Sequence, residues 1–304
     1  MALPSLKRIV PSLLVVGSLA GFAVGQDSNA TPANGGFLTG LKGWEKFHEP
    51  IGQPIYFESP FNDSGLRALY LKHNFSEGSA LGGGDVTVYA LQARLALTER
   101  LAFIATKDGY SEFHADAVVP HDEGWNDLAA GLKYVLIADK ANDFVLTPGI
   151  RYQAENGTRI VLQGGVGEFS PFVSVAKGFD DLHLIANATL RLPTNHNDGN
   201  VVGHWDVHAD YDINPKSDCV VAPCVELHGV HYLDDGATGL PIGGLDYTNL
   251  GTQPAEHFVS WAGIGFRAEF ATRYEFGAVY EFALTDKDKD IMDKRITIDF
   301  IVRW

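Results

Sequence analysis

Apolar and polar residues alternate with a period of two in segment after segment of this chain. The clearest run is the last, Lys294 to Trp304: Ile296, Ile298, Phe300, Val302 and Trp304 share one parity, and Thr297, Asp299, Ile301 and Arg303 the other. Side chains two apart lie on one face of a strand, so such a pattern marks a strand with different media on its two faces. Similar segments recur from Leu66 onward, separated by Gly, Asp, Asn and Pro clusters. The expected strands are Leu66 to Asn74, Val86 to Leu97, Leu101 to Lys107, Asp127 to Ala138, Phe144 to Gln153, Ser170 to Lys177, Leu182 to Leu192, Val202 to Ile213, Val225 to Leu233, Phe258 to Ala271, Tyr274 to Leu284 and Arg295 to Trp304. These are about twelve strands, an even number as in single-chain bacterial barrels.

The connections alternate in length. Thr98 to Arg100, Asp139 to Asp143, Gly178 to Asp181 and Thr272-Arg273 are tight; Phe75 to Asp85, Lys107 to Asn126, Ala154 to Phe169, Pro193 to Val201, Asp234 to His257 and Thr285 to Lys294 are long. Short turns on one side and long loops on the other belong to outer-membrane barrels, with both termini then periplasmic. An apolar strand at a chain end is hazardous in a soluble domain, but it is tolerable where its face meets lipid and its edges are paired. The expected fold is an all-β, transmembrane, antiparallel up-and-down β-barrel.

Parity then assigns the faces. Leu128, Leu132, Tyr134, Ile150, Ile264, Phe266 and Phe276 fall on the uncharged parity. The opposite parity holds Arg94, Lys133, Arg151, Arg191, Arg267 and Arg303 against Asp206, Asp210, Glu226, Glu269, Glu281 and Asp299. Charges confined to one side mean an apolar exterior and a polar lumen. Outward aromatics fall into two groups, Phe144, Tyr211, Phe270, Tyr274 and Trp304 at one end and Tyr89, Tyr152, Trp205 and Phe258 at the other, as interfacial anchors would.

The N-terminus has a different pattern. Lys7 and Arg8 precede an apolar run from Ile9 to Val24 and small residues before Gln26, so residues 1–25 read as a cleaved secretory signal peptide. Residues 26–65, rich in Asn, Pro and Gly, show no period and are expected to be a periplasmic lead-in packed under or into the barrel of residues 66–304. Without Lys7 and Arg8 the 23 basic residues fall to 21 against 38 acidic ones, a net charge of −17, which excludes a nucleic-acid footprint. The mean hydropathy of −0.03 does not argue against a membrane barrel, since only alternate residues face lipid.

The terminal strand resembles those of bacterial outer-membrane proteins, whose closing aromatic implies handling by the barrel-assembly machinery. Three stretches, VYALQARLALTERLAFIATKDGY (Val88 to Tyr110), GWNDLAAGLKYVL (Gly124 to Leu136) and LTDKDKDIMDKRITIDFIVRW (Leu284 to Trp304), resemble the exported barrels of the MetA-pathway, phenol-degradation type. The resemblance implies an outer-membrane barrel that passes small organic solutes. It carries no catalytic motif.

Candidate chemistry is confined to the lumen. His204, Asp206, His208, Asp210 and Asp212 share a parity on the eighth strand, Glu226 and His228 on the ninth. A turn centred near Ser217 sets His208 across from Glu226 and Asp206 across from His228. Such a wall is open to three readings: charges that satisfy one another, a site for a borderline metal such as zinc, or a site for a cationic solute. The expected solute-lining set is Arg94, Lys133, Arg151, Arg191, Asp206, His208, Glu226, His228, Arg267, Glu269, Glu281 and Asp299, with basic groups opposing acids across the pore. No metal is expected, because mutual satisfaction of these charges is the favoured reading, and no cofactor, because Gly82-Gly83-Gly84 and Gly164-Gly165 lack the following helix or Lys of a phosphate cradle. Ser174, Ser217 and Ser260 have no flanking His, so hydrolysis is not expected. The expected function is passive passage of small solutes; the rivals are an outer-membrane lipid hydrolase and a non-conducting structural or adhesive barrel. Pro223 and the export route suggest that Cys219 and Cys224 fold back into a disulfide-bridged turn.

Overall fold

The computed structural model describes residues 36–158, 167–195, 199–236 and 239–304. The expected signal peptide lies outside these residues. The strands are β1 (Gly65–Asn74), β2 (Gly84–Ala96), β3 (Leu101–Lys107), β4 (Tyr110–Ala115), β5 (Asp122–Trp125), β6 (Ala129–Tyr134), β7 (Ile137–Asp139), β8 (Phe144–Gln153), β9 (Glu168–Phe179), β10 (Leu182–Pro193), β11 (Val202–Tyr211), β12 (Cys219–Tyr232), β13 (Gly239–Gly244), β14 (Asn249–Gly251), β15 (Phe258–Phe270), β16 (Tyr274–Ala283) and β17 (Lys294–Arg303). Each wall strand pairs antiparallel with its neighbours, and β1 pairs with both β2 and β17, so the sheet closes on itself. β3 and β4 lie end to end along β2, and β5 and β6 along the next position. Counted as staves, the wall is a closed barrel of 12 antiparallel strands. β13 and β14 form a separate hairpin.

Closure pairs the terminal strand β17 on both edges, with β16 and β1, which removes the hazard of a terminal apolar strand. The face assignment follows the expected parity. Leu128, Leu132, Tyr134, Ile150, Ile264, Phe266 and Phe276 are exposed on the outside, while Lys133, Arg151, Arg267, Glu281 and Arg295 are buried inside. The outer face offers hydrocarbon to hydrocarbon, and the lumen keeps the charge.

Three expectations need correction. The stretch Lys107 to Asn126 is not one loop, since it contains β4 and β5. Its period was hidden by a change of parity: Ala102 and Ile104 point inward on β3, but Ser111, Phe113 and Ala115 do so on β4. Between them the register shifts near Ala105/Lys107, and Gly109 takes φ +98°, where an added Cβ would lie 2.2 Å from the Tyr89 carbonyl oxygen. A bulge of this kind re-aims every side chain that follows it.

The second correction concerns the cysteines. The ninth stave begins at Cys219 and not at Val225, so Cys219 and Cys224 sit on one continuous strand, paired with Phe270 and Gly265 of β15. Both thiols are free. An odd separation of five along a strand sends the two side chains to opposite faces, and an extended strand holds them roughly 16 Å apart, beyond disulfide reach. Pro223 is accommodated in this strand facing outward. The third concerns Asp234 to His257, which was expected to be plain loop and folds into the β13–β14 hairpin.

Candidate functional site

The lumen is filled by a segment the strand pattern does not reveal. Residues 36–64 enter at the tight-turn end, rise through the barrel and return: at the mouth the Leu38 N–H donates to Ala96 O and the Leu41 N–H to Asn62 O, both at 2.8 Å. This plug has no helix or strand, so its buried backbone groups need partners from elsewhere. The inward side chains of the wall supply them. Arg267 donates to Glu49 O (2.7 Å) and Pro50 O (3.0 Å), Arg67 to Ile51 O (3.0 Å), and Gln92 to Pro54 O (2.7 Å). Higher in the lumen Arg151 donates to Tyr56 O (3.1 Å), and as the plug returns toward the tight turns Ser174 donates to Glu58 O (2.5 Å), Lys133 to Ser59 O (2.9 Å) and Thr147 to Pro60 O (2.6 Å). In the opposite sense, the Ile51 and Gly52 N–H groups both donate to the Glu226 carboxylate, each at 2.7 Å. A Cβ on Gly52 would lie 2.5 Å from Glu226 Oε2, so only glycine lets the plug come this close.

The plug brings its own charges. Glu49 pairs with Arg94 (2.7 Å), and Glu58 with Arg94 (2.9 Å) and Lys133 (2.8 Å). Burial alone would raise both carboxyls, but Arg94 and Lys133, helped by Arg303 at Glu49 and Arg151 at Glu58, outweigh it and hold both below the ordinary 4.5. Arg267 and Arg67 also share Asp299, so each guanidinium spans wall and plug at once. Broken from one side, such a pair leaves a buried charge uncompensated.

Apolar anchors flank this polar middle. Trp44, Phe47, Phe57 and Phe61 pack against Val135, Val145, Ala176 and Ile185 at the tight-turn end. Ile51 meets Cys224 and Val279 halfway up. Toward the long loops, Ile55 and Tyr56 join a larger cluster with Val88, Phe113, Val230 and Trp261, which the β13–β14 hairpin completes through Ile242, Leu245, Tyr247 and Leu250. The lumen is thus closed from one end by the plug and from the other by a folded loop. On the outside of the wall, an apolar cleft of about 910 Å³ is lined by Tyr70, Tyr89, Leu91, Trp125, Phe276 and Phe300.

The expected set divides accordingly. The eighth and ninth strands pair as predicted, with His208 opposite Glu226 and Asp206 opposite His228. His208 Nδ1 lies 2.7 Å from Glu226 and His228 Nδ1 2.8 Å from Asp206. Arg94, Lys133, Arg151, Arg267 and Glu226 come together on the plug. Asp299 and Glu281 hold arginines, the latter through two contacts from Arg295 at 2.7 and 2.6 Å. Glu269 stands apart, with the ring of His48 at 3.9 Å. Arg191 is turned to Glu168 (2.8 Å), its guanidinium 4.8 Å from the Tyr56 ring. Ser174 is buried with Asn187 at 2.7 Å, without an imidazole partner.

Sequence reasoning missed His48, Glu49, Gly52 and Glu58 on the plug, Arg67 and Arg295 on the wall, and Asp246 in the β13–β14 hairpin. One signal was available. Trp44, Phe47, Ile51, Ile55, Tyr56, Phe57 and Phe61 are too many large apolar side chains for a segment left in water.

A closed wall of alternating strands with an apolar exterior defines a barrel of the outer-membrane type. Similarity to solved structures agrees. The COG4313 outer membrane channel from Pseudomonas putida F1 aligns with a TM-score of 0.59 at 12% identity, covering 84% of this chain and 100% of that one. The NanC porin (TM-score 0.45, 13% identity, 79% and 99% covered) and LpxR from Salmonella typhimurium (TM-score 0.45, 10% identity, 79% and 100% covered) are more distant. At these identities the likeness is one of fold. No protein-family model matches the chain, and no curated protein matches it by sequence.

Proposed function

We propose that the protein is an outer-membrane channel for small solutes, shut at rest and opened by displacement of the plug. The observation that carries this reading is the mode of closure. The lumen of a small barrel of about eight strands is filled by the side chains of its own wall. Here a non-strand segment that enters and leaves through the same mouth fills it, and much of its middle is bound by groups that water can also satisfy. When the plug leaves, Arg94, Arg151, Lys133, Arg267 and Glu226 become the lining of a polar path, with basic groups facing acids across it. Passage in this reading runs down a gradient.

The tight turns and both termini are assigned to the periplasm, the long loops to the cell exterior, and the strand ending at Trp304 to contact with the assembly machinery. The MetA-pathway resemblance favours small aromatic or amphipathic solutes. The COG4313 outer membrane channel from Pseudomonas putida F1 shares this fold, which fits a channel. We read the protein as non-enzymatic: Ser174 points to a carbonyl and an amide and not to a base.

The test is reconstitution of the full chain into liposomes, with swelling followed in small aromatic solutes. The expected result is slow swelling in the native protein, and a rate raised about tenfold or more when Glu49→Gln and Glu58→Gln together remove the plug's charged contacts. Folded protein that stays sealed with and without these substitutions overturns the reading.

A further inference from the structure

We propose that the plug is fastened to the wall by a divalent transition-metal ion, of which zinc is the best match, held by His48, His183, Asp210 and Asp212. His48 is on the plug, His183 lies in β10, Asp210 near the end of β11, and Asp212 just beyond it. One donor atom from each of the four lies within 4.8 Å of all the others. All four side chains are buried. Ligand atoms around a tetrahedral ion with bonds of about 2.0–2.1 Å stand roughly 3.4 Å apart, so small rotations of these side chains close the shell.

The donor set fits the ion. Two imidazoles with two carboxylates suit zinc and its first-row neighbours; magnesium and calcium take oxygen donors. Each imidazole is already seated against one of the carboxylates. His48 Nε2 lies 2.7 Å from Asp212 and His183 Nδ1 2.8 Å from Asp210, while His48 Nδ1 and His183 Nε2 are buried without a hydrogen-bond partner. The two rings are 0–1% exposed, and their centroids are 6.1 Å apart. The rings meet edge-on at 66°, and each already sets one nitrogen against a carboxylate, so an ion there would replace the protons of those two contacts. The bare nitrogens, with His48 Nδ1 3.9 Å from Glu269, lie on the other side of each ring.

The surroundings supply orientation. Asp210 also receives His208 Nε2 at 3.1 Å, and His208 Nδ1 is held by Glu226 at 2.7 Å. That outer ring leads directly to the carboxylate that binds the Ile51 and Gly52 N–H groups. Metal ligands are commonly fixed by such second partners. The Asp212 N–H donates to Asp181 O at 2.9 Å, which anchors this ligand at the turn between β9 and β10. Since His48 alone among the four belongs to the plug, the ion would bridge two parts of the chain that hydrogen bonds and packing otherwise hold.

The test is metal retention by the folded, detergent-purified full chain. Protein stripped with a chelator is incubated with zinc sulfate, desalted and assayed for bound zinc; a cobalt(II) sample is examined for the intense visible bands of a tetrahedral site. One ion per chain and tetrahedral cobalt bands are expected. His48→Ala, which leaves the wall intact, and Asp212→Asn should each weaken binding by roughly tenfold or more. His121→Ala, at the surface beside His114, should leave it unchanged. Absence of retained zinc overturns the proposal, as does retention unaltered in both site variants. Loss in His121→Ala, or in His228→Ala with His48→Ala unaffected, places the metal elsewhere and also overturns it. Retention is measured on the closed protein, so the result is separate from solute passage.

Discussion

The two closures of the lumen differ in kind. The β13–β14 hairpin closes the long-loop end with Ile242, Leu245, Tyr247 and Leu250 packed among wall residues as in the interior of a soluble domain. The plug combines apolar anchors at its limbs with a middle section whose carbonyls, amides and two glutamates are answered by buried wall charges. Water cannot replace what holds the hairpin: each large apolar side chain withdrawn costs about 1.5–3 kcal/mol. It can replace what holds the plug's middle, since ions freed in pairs are rehydrated on both sides and the net value of a buried pair is small. Ile51, Ile55 and Tyr56 are apolar exceptions within that middle, but its larger share of polar contacts makes it the part we propose to move, with the aromatic limb at the mouth as the anchor.

The largest effect should follow from cutting the polar middle on one side only. Arg267→Ala leaves Glu49 O, Pro50 O and one side of Asp299 unanswered. Loss of plug docking by about 3–5 kcal/mol is expected, read as new protease cleavage within residues 49–56 of an otherwise folded barrel. An intact plug in that variant would mean that the apolar limbs alone suffice. Leu245→Ala probes the other closure. About 2–4 kcal/mol of overall stability in denaturant should be lost, with no gain in swelling rate, because removing a buried side chain leaves a cavity and not a path. A swelling increase equal to that of Arg267→Ala would erase the distinction.

A finer probe is Gly52→Ala. The new Cβ meets Glu226 Oε2, Glu281 Oε1 and His228 Nε2, so the plug must shift there. A destabilisation of roughly 1–3 kcal/mol is expected with a measurable rise in swelling. The smallest effect belongs to Lys46→Ala. Its pair with Asp143 at 2.8 Å is half exposed at the mouth, and its removal should change docking by less than about 1 kcal/mol.

The wall was legible because one physical rule repeats along it. Lipid outside and charge inside leave a period-two mark on each stave, and a turn near Ser217 was enough to pair His208 with Glu226. The register shift between Ala105 and Lys107 and the turn of the chain at Gly109 broke that rule locally, so β4 and β5 were hidden. Cys219 to Cys224 were missed because they sit at the strand end, where Pro223 interrupts a period with too few residues to read. The candidate site was half legible. Arg94, Lys133, Arg151 and Arg267 could be placed in the lumen, but their partners could not. Those partners are mostly carbonyl oxygens of the plug, and a carbonyl leaves no signature in a side-chain pattern. Glu49 and Glu58 lie in a segment without period, where composition speaks of burial but not of location.

The claim that passage requires the plug to move can be tested with a native thiol. Cys224 points into the lumen and packs with Ile51 of the plug, while Cys219 faces the other way. Ile51→Cys in a chain carrying Cys219→Ser gives one lumen pair that oxidation can join, fastening the plug to β12. Swelling of liposomes should be measured on the same sample before oxidation, after it, and after reduction. Passage should fall to the level of empty liposomes when the bridge forms and return when it is reduced. Passage that continues unchanged through a fully bridged barrel would contradict the account.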